Sequence, residues 1–547
     1  MFKIHSFFNF FSADDSWRRS FAANLPPVVC DSMSVNNVSR IASFYNDRSI
    51  FITGASGFMG KVLVEKLLRS CPGVKNIYIL LRDKKGLNSR QRLDELFNAK
   101  IFDRIKEENA KAINKVIAIS GDISSPGLGI CENDVNTLVK EVSIVFHSAA
   151  TVKFDEALKT SVEFNVLGTR RVIELCHKIK NLVALIHVSS AYANCNRMEV
   201  DEVLYSTPVS PQQVIDSIQW MSEELINDIT PKLVGDRPNT YTYTKALAES
   251  LLAEECGSLP VAIVRPSIVT AAWREPVRGW VDNINGPTGL ILACGKGILR
   301  TMLFDANANA DLIPVDTVIN LMITVAWHTA TRRQNTINIY NCTSGLVNPI
   351  TWGEIERVAF PMLLRYPSND VFRYPGGSFK LSRFLNDISK IYEHFVPAYL
   401  IDFICALAGR KQMMVKVYGK LHRAVEALEF FTIREWRFKS DNVISLFEQL
   451  EEKDKELFHF DVRDLHWPTY WEDYVIGIRK FVLKEENSTL PQARRSLQRL
   501  YYINKFVGLL VILGIWQLVL VRTQVSRRMW FFFTSFAMKL YSLVFKV

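Results

Sequence analysis

The stretch that most constrains this chain is "SIFITGASGFMGKVLVEKLLRS", residues 49 to 70. An apolar strand, Ile50 to Ile52, runs into a glycine-bearing turn and then into a helix with Val62, Leu63 and Leu67 at helical spacing. Strand-like runs recur downstream as "KNIYILLRD", "KVIAISGD", "VSIVFHSAA", "LVALIHVSS" and "PVAIVRPSIV", with helix-like segments between them. Strands that alternate with helices pair in parallel, because right-handed crossovers lay helices on both faces of the sheet. The pattern therefore predicts an α/β fold with a doubly wound parallel sheet. Its first strand-to-helix turn carries Gly54, Gly57 and Gly60. Glycines at such a turn let the backbone approach a pyrophosphate, whose charge sits on the free N–H groups at the helix start. A merely tight turn is the simpler account of a lone glycine triplet; the strand before it and the helix after it favour a dinucleotide.

The second strand ends in "LLRDKKG", where such folds present a side chain to the cofactor ribose. Arg82 suits a 2′-phosphate and hence NADPH, while Asp83 leaves NADH open. Asp122, after the third strand, is a candidate for the adenine end. Further on, "NTYTYTKALAES" places two tyrosines and a lysine on one helix. Residues i and i+4 share a helical face and i and i+2 do not, so Tyr241 meets Lys245 and Tyr243 packs elsewhere. A nearby ammonium favours the phenolate, which would make Tyr241 a better proton donor to a developing alkoxide. In "HVSSAYAN" the end of a strand carries Ser189 and Ser190, where ligands bind in these sheets; Ser190 is the preferred hydroxyl for a substrate carbonyl. A strand-end cap is its bland alternative. His147 is expected to be structural and is left out of catalysis.

With 547 residues, the chain has room for two or three folded units. From about Gly377 the pattern turns helical with no convincing strand, after a Pro- and Gly-bearing connection, "RYPSNDVFRYPGG". The expected layout is a leader over 1–47, a dinucleotide-binding domain over 48–370, a helical C-terminal domain over 377–485 and a membrane-associated tail over 494–547. The net charge of +10 does not point to nucleic acid: nine Lys and Arg and no acid lie from Arg494 onward, around apolar runs, which suits anionic lipid. Phe506 to Val521 is uncharged, but as a helix it spans only about 24 Å of a roughly 30 Å hydrocarbon layer, so it needs its flanks to cross. Met529 to Val547, interrupted by Lys539, suits an interfacial or hairpin element. Phe395 to Ala408, "FVPAYLIDFICALA", fits a buried or interfacial helix. The basic residues behind it, Arg410 to Arg423, suit a solvated face more than CoA phosphates or headgroups. Nine scattered cysteines without a CxxC indicate neither a disulfide framework nor a metal site, and cytosol-facing reduced thiols make the sequons at Asn37, Asn341 and Asn487 chance matches. The short "FFNFFSA" run near the N-terminus is too polar for a signal peptide.

The strings "TGASGFMGK", "HSAATVKFDEAL", "NVLGTRRVIEL", "HVSSAYAN", "TYTYTKALAE", "VRPSIV" and "LIPVD", with "FHFDVRDLHWPTYWEDY" late in the chain, resemble the fatty acyl-CoA reductases of the extended short-chain dehydrogenase/reductase (SDR) superfamily. The resemblance covers about residues 48 to 480. One departure is Ser189-Ser190-Ala191-Tyr192 where the family commonly has a serine-threonine-alanine-tyrosine run; the hydroxyl is kept. The resemblance implies a Rossmann-type extended SDR domain with Ser190, Tyr241 and Lys245 as the catalytic set, Lys245 also touching the nicotinamide ribose. It further implies an oxidoreductase that takes a long-chain acyl-CoA to a primary alcohol with NADPH, by way of an aldehyde, without metal or nucleic acid. The helical region would supply the acyl tunnel. The implied attachment is through the C-terminal tail, with the catalytic domain facing the cytosol, at endoplasmic reticulum, peroxisome or lipid droplet. A sugar-nucleotide or sterol enzyme of the same superfamily, or a non-catalytic scaffold, are the competing expectations.

Overall fold

The computed structural model describes residues 38–84, 86–333, 336–522 and 524–544. The Phe-rich run and the sequon at Asn37 lie outside the described residues. Ser39 to Val547 forms one compact unit. Its centre is a seven-stranded sheet of β1 (Ser49–Thr53), β2 (Asn76–Leu81), β3 (Val116–Ser120), β4 (Val142–His147), β5 (Ala184–Val188), β6 (Val261–Pro266) and β7 (Asn338–Cys342). The strands run in the spatial order 3-2-1-4-5-6-7 and every pairing is parallel.

Alternate residues of each strand supply two cores. Ile50 and Ile52 with Phe146, Ile186 and Val264 pack on one side against the helices Phe58–Ser70 and Val315–Thr331. Phe51, Val145, Leu185 and Ile263 pack on the other against Glu132–Glu141 and Gly168–Lys178. Helices on both faces explain why β1, β4, β5 and β6 are buried throughout and read as mostly apolar runs without the alternation of a half-exposed strand. The expected doubly wound sheet is thus present. β7 was not among the expected strands because Asn338 and Asn341 interrupt its pattern. Asn341 is fully buried, and its amide donates to the carbonyls of Val200 (3.3 Å) and Lys439 (2.7 Å).

The leader expected up to residue 47 stops short of it. Ser39 caps a short helix, Arg40–Phe44, and Tyr45 is buried with its hydroxyl on the carbonyl of Ile323 at 2.8 Å. The C-terminal region is helical, as expected, apart from Arg437–Phe438, which pairs in parallel with Glu199–Val200. It shares its core with the sheet region: Phe458 and Phe460 join the cluster of Ile50, and Trp471 and Tyr474 pack with Ala271 and Leu363. At Gly279 (φ +71°) and Gly477 the two regions meet backbone to backbone; a Cβ on Gly477 would overlap the Gly279 carbonyl, and one on Gly279 that of Asp473. The apolar segment at 506–521 is the end of a 33-residue helix, Leu490–Arg522, followed by Gln524–Val544. Overlapping that first helix, the stretch Asn487–Gln517 is long and apolar enough to cross a membrane, and its most apolar part is not buried.

Candidate active site

Parallel sheets of this kind bind ligands beyond the carboxyl ends of their strands, at the point where strand order reverses. Here that point lies between β1 and β4. A cleft of about 1480 Å³ opens there, and all of Gly54, Gly57, Gly60, Arg82, Asp122, Ser190, Tyr241 and Lys245 line it.

At the first turn Gly54 has φ +79°, and a Cβ on it would lie 2.8 Å from the backbone nitrogen of Ala149, so only glycine lets this turn sit against the end of β4. A Cβ on Gly60 would overlap the carbonyl of Gly54. Gly57 caps the Phe58–Ser70 helix without a side-chain bond, which leaves first-turn N–H groups facing the cleft. The cradle fits a pyrophosphate.

At the end of β2, Arg82 pairs with Asp122 at 3.5 Å. Burial raises the Asp122 carboxyl, but hydrogen bonds from the Ser124 N–H (3.0 Å) and hydroxyl (2.8 Å), with Arg82, outweigh it and hold the group below its ordinary value. Asp122 therefore braces the turn and Arg82 as well as lining the cleft. Sequence reasoning missed two further cations here, Lys84 and Arg92. Arg92 donates to the Arg82 carbonyl at 2.5 Å and to the Ser56 hydroxyl at 3.3 Å, which ties the second strand end to the glycine turn. The signal for Arg92 was its place in the first turns of a helix capped by Asn88 just beyond β2.

Ser189 and Ser190 are buried at the end of β5. The Ser190 hydroxyl accepts from the N–H of Tyr192 at 3.2 Å, so it caps a turn and also faces Tyr241. Asn239 caps the Thr240–Glu255 helix, its side chain accepting from Thr242 N at 2.9 Å, and this fixes which phenol looks where. Tyr241 faces the cleft beside the Phe154 ring (5.8 Å). Tyr243 is fully buried among Val162, Val214 and Leu247. Burial raises the Tyr241 hydroxyl above its ordinary value and the Ser190 hydroxyl pulls it back. The Lys245 ammonium, on the same helix, donates to the carbonyl of Val188 at the end of β5, at 2.7 Å. Burial lowers Lys245 to about 8, with Glu249 opposing. His147 is structural: its ring nitrogens bond the hydroxyls of Thr53 (2.7 Å) and Thr169 (3.1 Å), and burial, with Lys245 nearby, brings it down to about 3.

Residues 52–322 match an NAD-binding family described as male sterility protein, and residues 393–485 match a second family of that description. Fatty acyl-CoA reductase 1 of Xenopus laevis is 46% identical over 502 residues, covering 92% of this chain and 98% of that protein. The Homo sapiens protein of that name is 45% identical over the same length and coverage. The chain belongs to the fatty acyl-CoA reductase family. Fatty acyl-CoA reductase 2 of Mus musculus is 44% identical to this reductase over 505 residues, 92% of this chain and 98% of that protein. Among solved structures, the terminal R domain of the myxalamid pathway shares the reductase's fold with a TM-score of 0.53 at 18% identity, over 79% of this chain and 90% of that one. A reductase domain of a nonribosomal peptide synthetase from Mycobacterium tuberculosis does so at 0.53 and 18%, over 80% and 92%. The NAD-binding match makes a nicotinamide dinucleotide the cofactor class of this reductase.

Proposed function

We propose that this protein reduces a long-chain fatty acyl-CoA to the primary alcohol, by way of the aldehyde, with NADPH as reductant. The observation that carries the reading is the convergence of Ser190, Tyr241 and Lys245 on the cleft that also holds the glycine turn. Gly54, Gly57 and Gly60 would cradle the pyrophosphate; Arg82, Lys84 and Arg92 form a cationic group suited to a 2′-phosphate, and Asp122 would serve the adenosine end. When bound, the reduced nicotinamide supplies the hydride for each reduction.

Ser190 and Tyr241 donate to the substrate carbonyl oxygen as negative charge grows on it. In the first reduction that charge collapses, the carbon–sulfur bond breaks, and CoA leaves as its thiolate. In the second, Tyr241 gives its proton to the alkoxide oxygen, and Ser190 steadies the phenolate left behind. Lys245, charged below about pH 8, would hold the ribose hydroxyls and lower the cost of that phenolate. The second family match and the apolar tail favour this reading over a sugar-nucleotide or sterol substrate, and the length and apolar character of the tail helix support attachment to a membrane, with the catalytic region proposed to face the cytosol.

The test is product analysis of the detergent-purified chain with a ladder of acyl-CoA lengths and either NADPH or NADH. Long-chain alcohol should form with NADPH well ahead of NADH. Absence of alcohol with both would sink the reading, and equal rates would remove the cofactor assignment alone.

A further inference from the structure

The helical run Arg383–Leu407, a π turn at Ile391–Phe395 included, is amphipathic with the wrong face outward. Its inner face is polar. Asn386 accepts from the hydroxyl of Thr301 at 2.9 Å, His394 Nε2 accepts from the Arg300 N–H at 2.9 Å, and Glu393 pairs with Arg300 at 2.5 Å. Asp402 takes the N–H groups of Met413, Met414 and Val415 at 2.9–3.0 Å, which starts the next helix, Met414–Thr432. The outer face carries Phe384, Ile388, Ile391, Tyr399, Phe403 and Leu407, which recur on one side of the run; Phe384, Tyr399 and Leu407 are 71, 62 and 75% exposed. A helix on a water-facing surface buries its apolar stripe, and a contiguous exposed one marks an interaction surface.

Two observations select lipid as the occupant. The carboxylates of the run are all engaged: Asp387 with Lys390 (3.4 Å), Glu393 with Arg300 and Arg373, and Asp402 in its cap. Arg410, Lys411, Lys416 and Lys420, which follow, form no salt bridge among the described residues, so the rim offers cations to anionic headgroups. The run is also tied to the apolar tail. Tyr501 packs on Tyr374 at 5.3 Å, and the adjacent Arg373 holds the Glu393 carboxylate at 3.2 Å; the exposed apolar stretch of the tail opens at Phe506, little more than a turn past Tyr501.

We infer that the outer face of Arg383–Leu407 is immersed in the interfacial layer of a phospholipid bilayer, a second membrane contact beside the tail. Because Asp402 joins this run to the helix whose Lys420, Leu421 and Phe431 line the cleft, the bilayer surface is structurally coupled to the substrate site.

The inference rests on the tail reaching a membrane, and the experiment separates the two. The full chain, carrying the photo-crosslinker p-benzoylphenylalanine at Phe403 or, as control, at the exposed Trp220, is reconstituted in vesicles of phosphatidylcholine with phosphatidylserine, floated and irradiated. Both positions are exposed and aromatic, so folding is not at stake. Lipid adduct at 403 should exceed that at 220 about tenfold. A chain that floats but gives no excess adduct at 403, or crosslinks there to a second copy of itself, overturns the inference and leaves the tail anchor standing. A chain that fails to float overturns both.

Discussion

Two phenols on one helix meet opposite surroundings, and single-atom changes separate them. Tyr241→Phe should lower kcat for alcohol formation by about 10³-fold, the scale of a lost general acid. Tyr243→Phe should leave kcat unchanged, since the Tyr243 hydroxyl is buried without a hydrogen-bond partner among the described residues. Comparable loss at both positions would contradict the assignment. That division was legible in the sequence because helical spacing alone decides it. The orientation of Lys245 was not, because its partner Val188 lies 57 residues away in sequence. Burial brings Lys245 from 10.5 in the unfolded chain to about 8 in the folded one. Between those values the unfolded chain binds more protons, so stability rises with pH there, and below about 8 the folded protein bears the cost of a buried ammonium. Lys245→Met should then raise stability at pH 7, by up to about 3 kcal/mol, while abolishing activity; thermal unfolding checks it. In the intact enzyme, kcat/KM should fall as pH rises through about 8, where the ammonium is lost.

At the level of elements, the Thr240–Glu255 helix is fastened to β6 by a fully buried ion pair, Glu249 with Arg265 at 2.6 Å. Arg265 also donates to the carbonyls of Asp201 (3.1 Å) and Val203 (2.9 Å). Glu249→Ala leaves an unpaired buried guanidinium and should cost about 3–5 kcal/mol in denaturant unfolding. The end of β2 makes a different prediction: replacing both Arg82 and Arg92 by Ala should raise KM for NADPH about tenfold or more and leave that for NADH nearly unchanged, as loss of phosphate contacts requires. Equal effects on both cofactors would remove the 2′-phosphate role. Arg82 was readable from its place after a strand. Arg92 was hidden because its function depends on a helix folding back over that strand end. β7 was hidden too, since a strand whose buried Asn341 donates to distant carbonyls loses its apolar pattern.

Across the whole molecule, the alternation of strands and helices was enough to foresee the sheet, because its buried strands and crossover helices leave a periodic trace. How the C-terminal helices are seated was not foreseeable, since they complete cores begun by residues hundreds of positions earlier. The exposed face of Arg383–Leu407 leads to one further expectation at this scale. The chain ended before Phe506 should lose stable insertion, yet still associate peripherally with vesicles in flotation assays; fully soluble behaviour would argue that the tail is the sole lipid contact. The paired glycines at 279 and 477 bear on protein engineering. A chimera that exchanges the C-terminal half with a relative, in search of altered chain-length preference, must carry glycine on both sides of the graft, since a single methyl at either seam would wedge the halves apart before any change in selectivity could be measured.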